Sequence, residues 1–493
     1  MARCIMVQGT MSGAGKSLLA TALCRIFRQD GLRVAPFKSQ NMALNSYITR
    51  DGLEMGRAQV AQAEAAGREP DVRMNPVLLK PSSDTGSQLI VNGEVRGQYR
   101  AAEYFKMKKS LVPEILRAYE SLAAENDVIV IEGAGSPAEI NLRDGDIVNM
   151  GLAELVNAPV LLVGDIDRGG VFAQLYGTVA LLQPEERARV VGTVINKFRG
   201  DVELLRPGLA MLEEKTGVPV LGVVPYTRAD IDDEDSLAPC LAQTQQRRPL
   251  DIAVGRLPRI SNFTDFSPLE SHPALGVRYV ERAGQLGEPD LVVLPGTKNT
   301  MGDLAWMRQN GLEAAVKKLA AAGTPVLGVC GGYQMLGTAL DDPDGVEQGG
   351  RMDGMGLLPC ATRFTGQKVR TRVQACAAAG PFAGAQLDGY EIHMGRTERG
   401  GTPPFCLLAD GTPEGAAAGN VFGTYLHGLF DTGELTEKLA AWLLACKGLS
   451  AADVRAESHA AYKERQYDLL ADAVRTAVDI AAVYRAMDAC AAK

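Results

Sequence analysis

Residues 4–17, CIMVQGTMSGAGKS, decide the fold class of the N-terminal part of this chain. A short apolar run leads into a glycine-rich turn, and the spacing of Leu19, Leu23 and Ile26 then predicts a helix that ends near Gly31. A glycine turn that opens a helix points backbone N–H groups and the positive helix end toward an anion. The segment therefore predicts a phosphate-binding loop.

The residue types in this loop favour a nucleotide. Lys16 would face the β- and γ-phosphates, and the hydroxyl of Ser17 would reach Mg²⁺. The spacing departs from GxxxxGK[ST], because Gly9 stands one residue early and Thr10 takes the expected position. A plain glycine turn is the alternative, but Lys-Ser at the helix start favours phosphate. The predicted ATP-binding residues are Thr10, Gly13, Gly15, Lys16 and Ser17.

The rest of the chain continues as apolar runs that alternate with helical patterns. The runs are continuous, as in strands covered on both faces, which predicts α/β folding with mostly parallel sheets. We expect a P-loop, doubly wound domain followed by a second α/β domain. The predicted boundaries are 1–228 for the first domain, 229–250 for a polar linker, 251–443 for the second domain and 444–493 for a helical tail.

Composition limits the function classes. The chain has 493 residues and a formal net charge of −8, which argues against a nucleic-acid surface. Its nine cysteines include no CxxC pair, so neither a disulfide scaffold nor a zinc site is expected. The N-terminus runs directly into the first strand pattern and no apolar run is long enough for a bilayer. We expect a soluble cytoplasmic protein without a tightly bound prosthetic group.

Polar residues at predicted strand ends are candidates for the same sheet edge as the loop. Glu132 ends the run VIVIE and would organise Mg²⁺, although a capping role is the alternative. Lys38, Gln40, Asn41 and Asn45 follow the second strand and are candidate substrate residues.

A second candidate centre lies in PVLGVCGGYQMLG (325–337). Cys330 stands between Gly328 and Gly332, the pattern of a strand that turns sharply into a helix and leaves its nucleophile accessible. At a helix N-terminus the thiol is pushed toward thiolate. Without further context, Cys330 would be interpreted as a small buried hydrophobic residue.

Two other segments support a catalytic interpretation of this cysteine. His427 follows another apolar run and is a plausible general base. The N–H groups of the glycine loop at Gly296, together with that of Gly331, would form an oxyanion hole.

These two centres resemble two known families. The deviant phosphate loop resembles that of dethiobiotin synthetase, and the Cys–His centre resembles class I glutamine amidotransferases, which implies that Gln334 helps to bind glutamine. That family carries a glutamate two residues after the histidine, where this chain has Leu429. The centre is therefore either a dyad, which we expect, or another carboxylate orients His427. His393 is a candidate substrate residue or a satisfied strand-end histidine.

The combination of both domains resembles the cobyrinic acid amidotransferases. SQNMALNSY and DIDRGGVFAQ are among the long segments that carry the match. The resemblance implies ATP- and glutamine-dependent amidation of a corrinoid substrate, on the b, d, e and g carboxylates of adenosylcobyrinic acid a,c-diamide. Asp146, Asp165, Asp167 and Arg168 would then bind substrate or metal, with loop or capping roles equally open.

Three other interpretations compete with this one. The a,c-diamide synthase of the same pathway is the main alternative. A ParA/MinD-like ATPase switch would carry a signature lysine where this chain has Met11, and it would lack the second domain. A non-catalytic corrinoid or nucleotide carrier would not need the Cys330–His427 pair.

Overall fold

The computed structural model describes residues 2–81, 86–232, 239–242, 248–450 and 457–491. The chain forms two compact units. The first comprises Met1–Met42, Glu54–Asp232 and Lys463–Lys493, and the second comprises Ala43–Leu53 and Asp233–Tyr462. No helix in the described part of the chain combines the length and apolar character needed to cross a bilayer.

Helices and strands alternate through most of the chain. The helices are α1 (Lys16–Gln29), α2 (Arg57–Ala65), α3 (Ala101–Met107), α4 (Val112–Glu125), α5 (Met150–Leu155), α6 (Val171–Leu181), α7 (Pro184–Arg187), α8 (Arg206–Thr216), α9 (Ser267–Ser271), α10 (Ala283–Leu286), α11 (Thr300–Gln309), α12 (Leu312–Ala321), α13 (Gly331–Leu336), α14 (Glu434–Cys446), α15 (His459–Ala477) and α16 (Ile480–Ala491).

The strands of the N-terminal half are β1 (Arg3–Gly9), β2 (Val34–Phe37), β3 (Gln40–Met42), β4 (Ser46–Ile48), β5 (Glu54–Gly56), β6 (Val77–Pro81), β7 (Gly86–Val91), β8 (Glu94–Arg100), β9 (Val128–Glu132), β10 (Val160–Asp165), β11 (Val190–Phe198) and β12 (Val220–Pro225). Those of the C-terminal half are β13 (Leu250–Gly255), β14 (Leu275–Val280), β15 (Leu291–Leu294), β16 (Val326–Val329), β17 (Ala339–Asp342), β18 (Gly350–Asp353), β19 (Ala361–Ala377), β20 (Gln386–Glu398), β21 (Cys406–Leu408), β22 (Pro413–Glu414), β23 (Ala416–Ala418), β24 (Val421–Thr424) and β25 (Leu426–His427).

A parallel sheet forms the centre of the first unit. Its strand order is β12-β11-β10-β1-β9-β2, and every neighbouring pair is parallel. β1, β9 and β10 are almost wholly buried, as their uninterrupted apolar runs predict. Because β9 and β10 flank β1, the strand-end residues Glu132 and Asp165 lie on either side of the turn after Gly9. A smaller sheet of order β3-β6-β7-β8 completes the unit.

The second unit has a sheet of order β14-β13-β15-β16-β24-β23, which is parallel except for the β23–β24 pair. β15, β16 and β24 are adjacent, so the loops at their carboxyl ends meet. A mostly antiparallel sheet contains the long pair β19–β20 and the short strand β25. The predicted fold class, two α/β domains with largely parallel central sheets, is confirmed.

The C-terminal region divides between the two units. Residues 444–493 were predicted to form one helical tail. In the structure α14 packs in the second unit, and the residues from Lys463 onward pack in the first. There the N–H of Asp479 donates to the carbonyl of Leu221 on the edge strand β12. Tyr467, Leu470 and Val483 join the core that contains β1 and α1. Half of the predicted linker 229–250, residues 233–238 and 243–247, lies outside the described residues.

Candidate active site

Cys330 occupies a sharp turn between β16 and α13. Its backbone has φ 51° and ψ −107°, a conformation that costs free energy for any residue other than glycine. The N–H of Cys330 donates to the carbonyl of Thr424 at 2.8 Å. A Cβ at Gly332 would lie 1.9 Å from the carbonyl oxygen of Leu294, so only glycine fits there. The strained, closely packed turn is the geometry expected for a nucleophile at a strand–helix junction.

His427 lies beside Cys330 and is held by a carboxylate. Nδ1 of His427 is 2.6 Å from Oδ2 of Asp265, and Oδ1 of Asp265 accepts from the N–H of Gly428 at 3.0 Å. Burial by itself would lower the pKa of His427, but Asp265 and the side-chain hydrogen bond to Cys330 raise that pKa to about 10. The prediction of a Cys–His dyad without a carboxylate is therefore wrong. Asp265 contacts His427 in place of a glutamate two residues after the histidine, where this chain has Leu429.

Asp265 is carried by the 3-10 helix Phe263–Phe266. Asn262 caps this helix with φ 53°, and its carbonyl accepts from the N–H of Asp265. Asp265 was not predicted as a site residue, because 162 residues separate it from His427. The available signal was its position in the first loop after β13, next to the strands that carry the other site residues.

A closed set of hydrogen bonds fixes Asn262. The N–H of Ser46 donates to Oδ1 of Asn262 at 3.2 Å, Nδ2 of Asn262 donates to the Tyr390 hydroxyl at 3.1 Å, and that hydroxyl donates to the Ser46 carbonyl at 3.0 Å. The Tyr390 ring also stacks on His427 at a centroid distance of 5.4 Å. The segment Ala43–Leu53 thus supports the histidine and its carboxylate within the second unit.

The predicted oxyanion and glutamine residues surround the same turn. A Cβ at Gly296 would lie 3.1 Å from Cε1 of His427, and one at Gly331 would lie 3.1 Å from the amide nitrogen of Thr297. The glycine loop after β15 therefore passes over the N-terminus of α13, where its amides can converge with that of Gly331.

Gln334 and His393 meet at Tyr425. Oε1 of Gln334 accepts from the Thr300 hydroxyl at 2.9 Å, and Nε2 donates to the Tyr425 hydroxyl at 3.2 Å. The His393 ring stacks on Tyr425 at 3.7 Å, and its Nδ1 is 2.7 Å from the carbonyl oxygen of Gly395. His393 is thus a satisfied strand histidine that also borders the predicted glutamine site.

The phosphate loop of the first unit has the predicted backbone form. Gly13 and Gly15 have φ of 74° and 99°, and α1 begins at Lys16. Nζ of Lys16 folds back over the loop, where it donates to the carbonyls of Met11 at 3.1 Å and Gly135 at 3.0 Å. Thr10, at the deviant position, donates from its hydroxyl to Gln174 at 3.1 Å. The ammonium of Lys16 therefore lies between a carbonyl of the phosphate loop and a carbonyl of the loop after β9.

Glu132 stands at the centre of a buried polar cluster. Oε1 of Glu132 is 2.8 Å from the hydroxyl of Ser17 and 2.9 Å from Nζ of Lys38, and Oε2 accepts from Gln62 at 2.5 Å. Burial alone would raise the pKa of Glu132, but Lys38 and the hydrogen bonds from Gln62 and Ser17 hold that pKa below its ordinary value. A hydroxyl and an ionised carboxylate are ligands that suit Mg²⁺.

Metal binding here would draw on few protein ligands. Among the described residues, no group of three His, Cys, Asp or Glu is arranged to hold a metal ion. Ser17 and Glu132 fit the predicted Mg²⁺ role in the manner of sites that also use phosphate oxygens and water.

The predicted substrate residues divide between the two units. Gln40 contacts Tyr104, Asn41 donates to Gln59, and the carboxylate of Asp146 accepts from backbone amides of residues 148–151. Asn45 differs from expectation, because it lies in the segment Ala43–Leu53 of the second unit.

The acidic residues after β10 border the phosphate loop. Asp165 is 2.9 Å from Nζ of Lys197, and Asp167 is 2.9 Å from Nε of Arg199. Arg168 is exposed, and its Nη2 lies 3.9 Å from the position of a Cβ on Gly13. This location suits a phosphate contact at least as well as the predicted contact with a substrate carboxylate.

Asn196 and Lys197 brace the phosphate loop and were not predicted as site residues. Nδ2 of Asn196 donates to the carbonyl of Ala14 at 3.0 Å, and Nζ of Lys197 donates to that of Gly13 at 2.7 Å. Both end β11, the strand beside β10, so their strand-end position was a usable signal.

Two family models match this chain. Residues 5–238 match the CobQ/CobB/MinD/ParA nucleotide binding domain, and residues 251–435 match the CobB/CobQ-like glutamine amidotransferase domain. Fold and matches together define an ATP-dependent glutamine amidotransferase.

Comparison with curated relatives identifies the family within this class of enzymes. The chain is 58% identical to cobyric acid synthase of Ruminiclostridium cellulolyticum, over 99% of this chain and 98% of the relative. It is 53% identical to the cobyric acid synthase of Lachnoclostridium phytofermentans, over 99% of both chains, and 52% identical to that of Streptococcus sanguinis, over 98% of this chain and 99% of the relative. The chain belongs to the cobyric acid synthase family of cobalamin biosynthesis.

Proposed function

We propose that this protein amidates the b, d, e and g carboxylates of adenosylcobyrinic acid a,c-diamide, with ATP as the activating agent and glutamine as the nitrogen donor. The observation that carries the proposal is the presence of two separate centres in one chain. Cys330, His427 and Asp265 form a glutaminase centre in the second unit, and the phosphate loop with Glu132 forms an activating centre in the first. The names of the relatives support the corrinoid as acceptor.

At the glutaminase centre, Sγ of Cys330 attacks the carboxamide carbon of glutamine. The N–H of Gly331 and the amides of the loop at Gly296 stabilise the oxyanion. His427, protonated because Asp265 raises its pKa, donates a proton to the leaving ammonia. Water then hydrolyses the thioester with His427 as base, and glutamate leaves.

At the activating centre, a substrate carboxylate attacks the γ-phosphorus of ATP. ADP leaves and an acyl phosphate forms, which ammonia then converts to an amide with release of phosphate. Lys16 stabilises negative charge on the transferred phosphoryl group, and Ser17 and Glu132 would hold Mg²⁺. When bound, Mg²⁺ neutralises charge on the β- and γ-phosphates.

Separate nitrogen sources test the two-centre proposal. Cys330→Ala should abolish glutamine-supported amidation and retain amidation with high ammonium, because the thiol serves only to release ammonia. Lys16→Ala should abolish amidation with either nitrogen source, while glutamine hydrolysis by the full chain persists. Lys215→Ala, a change at the end of α8, serves as a control. Equal loss of both activities in Cys330→Ala would refute the assignment.

The acceptor is tested by parallel time courses with cobyrinic acid and its a,c-diamide. We expect the a,c-diamide to gain amides in discrete mass steps, with about one ATP consumed per amide. A preference for cobyrinic acid that stops after two amidations would instead identify an a,c-diamide synthase.

A further inference from the structure

Lys108 is a largely buried residue whose ammonium has no oxygen partner among the described residues. It begins the 3-10 helix Lys108–Leu111, and only 7% of the residue is exposed. Within the described ranges of the chain, its ammonium makes no hydrogen bond or ion pair and lies 4.5 Å from the ring centroid of Phe105. Burial holds the pKa of Lys108 below its ordinary value. Because this ammonium has no acceptor in the described part of the chain, its charge can form a charge-assisted hydrogen bond with an anionic ligand.

The carboxylates closest to Lys108 are already engaged. Asp144 accepts from Nζ of Lys109 at 2.5 Å. Both oxygens of Asp146 accept backbone N–H groups of residues 148–151, at 2.8 to 3.0 Å. Asp144 and Asp146 favour the charged form of Lys108 only through longer-range electrostatic attraction. The charge of Lys108 therefore remains available to a ligand.

Tyr104 connects the Lys108 site to the activating centre. It lies one helical turn before Lys108, and its hydroxyl donates to Oε1 of Gln40 at 2.5 Å. Gln40 follows Lys38 by two residues in the chain, and Lys38 pairs with Glu132 at 2.9 Å. These contacts connect Glu132 with the face of α3 that carries Tyr104, and Lys108 follows on the same face.

A second chain of contacts joins the same two places. A Cβ at Gly145 would lie 3.4 Å from Cε of Lys108, so the loop that follows β9 passes directly beside the lysine stem. Two residues further on, the carbonyl of Ile147 accepts from the hydroxyl of Ser39 at 2.6 Å. Lys108 therefore sits at the rim of the activating centre rather than on a remote surface.

Exposed apolar side chains accompany this cation. Phe105, Met42, Ile140 and Leu142 are 36–59% exposed and belong to the elements that these contacts join. A corrinoid presents apolar macrocycle faces and several peripheral carboxylates, which match an apolar rim with one unpaired ammonium. Building on the proposed function, we propose that Lys108 binds a peripheral corrinoid carboxylate that is not being activated, with Phe105 against the macrocycle.

The test compares two neighbouring lysines in the full-length protein. Lys108→Met keeps the side-chain length and removes the charge, and Lys109→Met removes a charge that is exposed and paired with Asp144. Equilibrium dialysis with cobyrinic acid a,c-diamide, read by corrinoid absorbance, should show affinity about tenfold weaker for Lys108→Met and nearly unchanged for Lys109→Met. In ammonium-supported assays the corrinoid KM should rise by the same factor, while the ATP KM stays within about twofold.

Two further measurements separate binding from folding and from the proposed function. Lys108→Met should unfold at nearly the same temperature, because the substitution removes no hydrogen bond or ion pair among the described residues. Lys108→Arg should restore part of the corrinoid affinity. Equal corrinoid affinity in Lys108→Met and the parent protein would overturn the inference, as would an equal loss in Lys109→Met. If the parent protein binds the a,c-diamide but does not amidate it, the proposed function fails and the binding assignment stands.

Discussion

Oδ2 of Asp265 lies 2.6 Å from Nδ1 of His427, and both side chains are almost fully buried. The carboxylate orients the imidazole so that its other nitrogen can serve Cys330, and it stabilises the imidazolium. The third member of the centre therefore comes from a loop after β13 rather than from the histidine's own strand.

Asp265→Asn should lower glutamine-supported activity by about 10²-fold or more, because the amide supports neither the charge nor the tautomer of His427. Activity with high ammonium should remain. Steady-state amidation with each nitrogen source measures both effects. Asp251→Asn, which breaks the ion pair with Arg278 elsewhere in the second unit, is the matched control. Comparable losses in the two variants would mean that Asp265 acts only on stability.

The same substitution should change how stability depends on pH. The folded-state pKa of His427, about 10, is above its ordinary value of 6.5. The resulting stability is fully present below pH 6.5 and is lost as pH rises through about 10. The difference in Tm between the parent protein and Asp265→Asn should therefore shrink between pH 7 and pH 10. A difference that grows over this range would contradict the ion-pair interpretation.

Replacement of two glycines of the first unit by alanine should have opposite effects on the protein. Gly15 has φ 99°, and a Cβ there would lie 1.9 Å from Nδ2 of Asn196, so Gly15→Ala should distort the phosphate loop and abolish ATP binding. Gly177, inside α6, has no atom within 4 Å of an added Cβ. Gly177→Ala should stabilise the protein by about 1 kcal/mol and preserve ATP binding. Calorimetric titration with ATP and thermal unfolding test both, and ATP binding by Gly15→Ala would refute the steric argument.

The hydroxyl of Tyr390 should matter for the glutaminase centre. Tyr390→Phe keeps the ring on His427 but leaves the Ser46 carbonyl and the Asn262 amide each without one partner, which costs about 1–3 kcal/mol. Glutamine hydrolysis should fall more than thermal stability alone explains. Tyr279→Phe removes another buried hydroxyl bond in the same unit, to Glu270 at 2.9 Å, and should spare hydrolysis. Identical kinetics in both variants would show that the network has no positioning role.

Local sequence patterns were sufficient to predict much of the fold of this protein. Unbroken apolar runs predicted the parallel strands, because buried strands need no polar face. The turns at residues 10–15 and at Cys330 were predictable since both require glycine at defined positions. Glu132 and Cys330 could be selected because they end or directly follow such a strand. Lys16 could be selected because it begins the helix after the glycine turn, and His427 because it closely follows the apolar run of β24.

What the sequence by itself determined was therefore the order of elements, the fold class and the family, while the principal reactive groups stay predictions. Only the tertiary structure decided that Asp265 contacts His427, that Ala43–Leu53 joins the second unit and that the last helices join the first. It also decided that Lys108 is largely buried, with no oxygen partner for its ammonium among the described residues. These features depend on contacts between residues far apart in the chain. Such contacts leave no local periodicity or spacing, because side-chain packing and burial set them after the elements have formed.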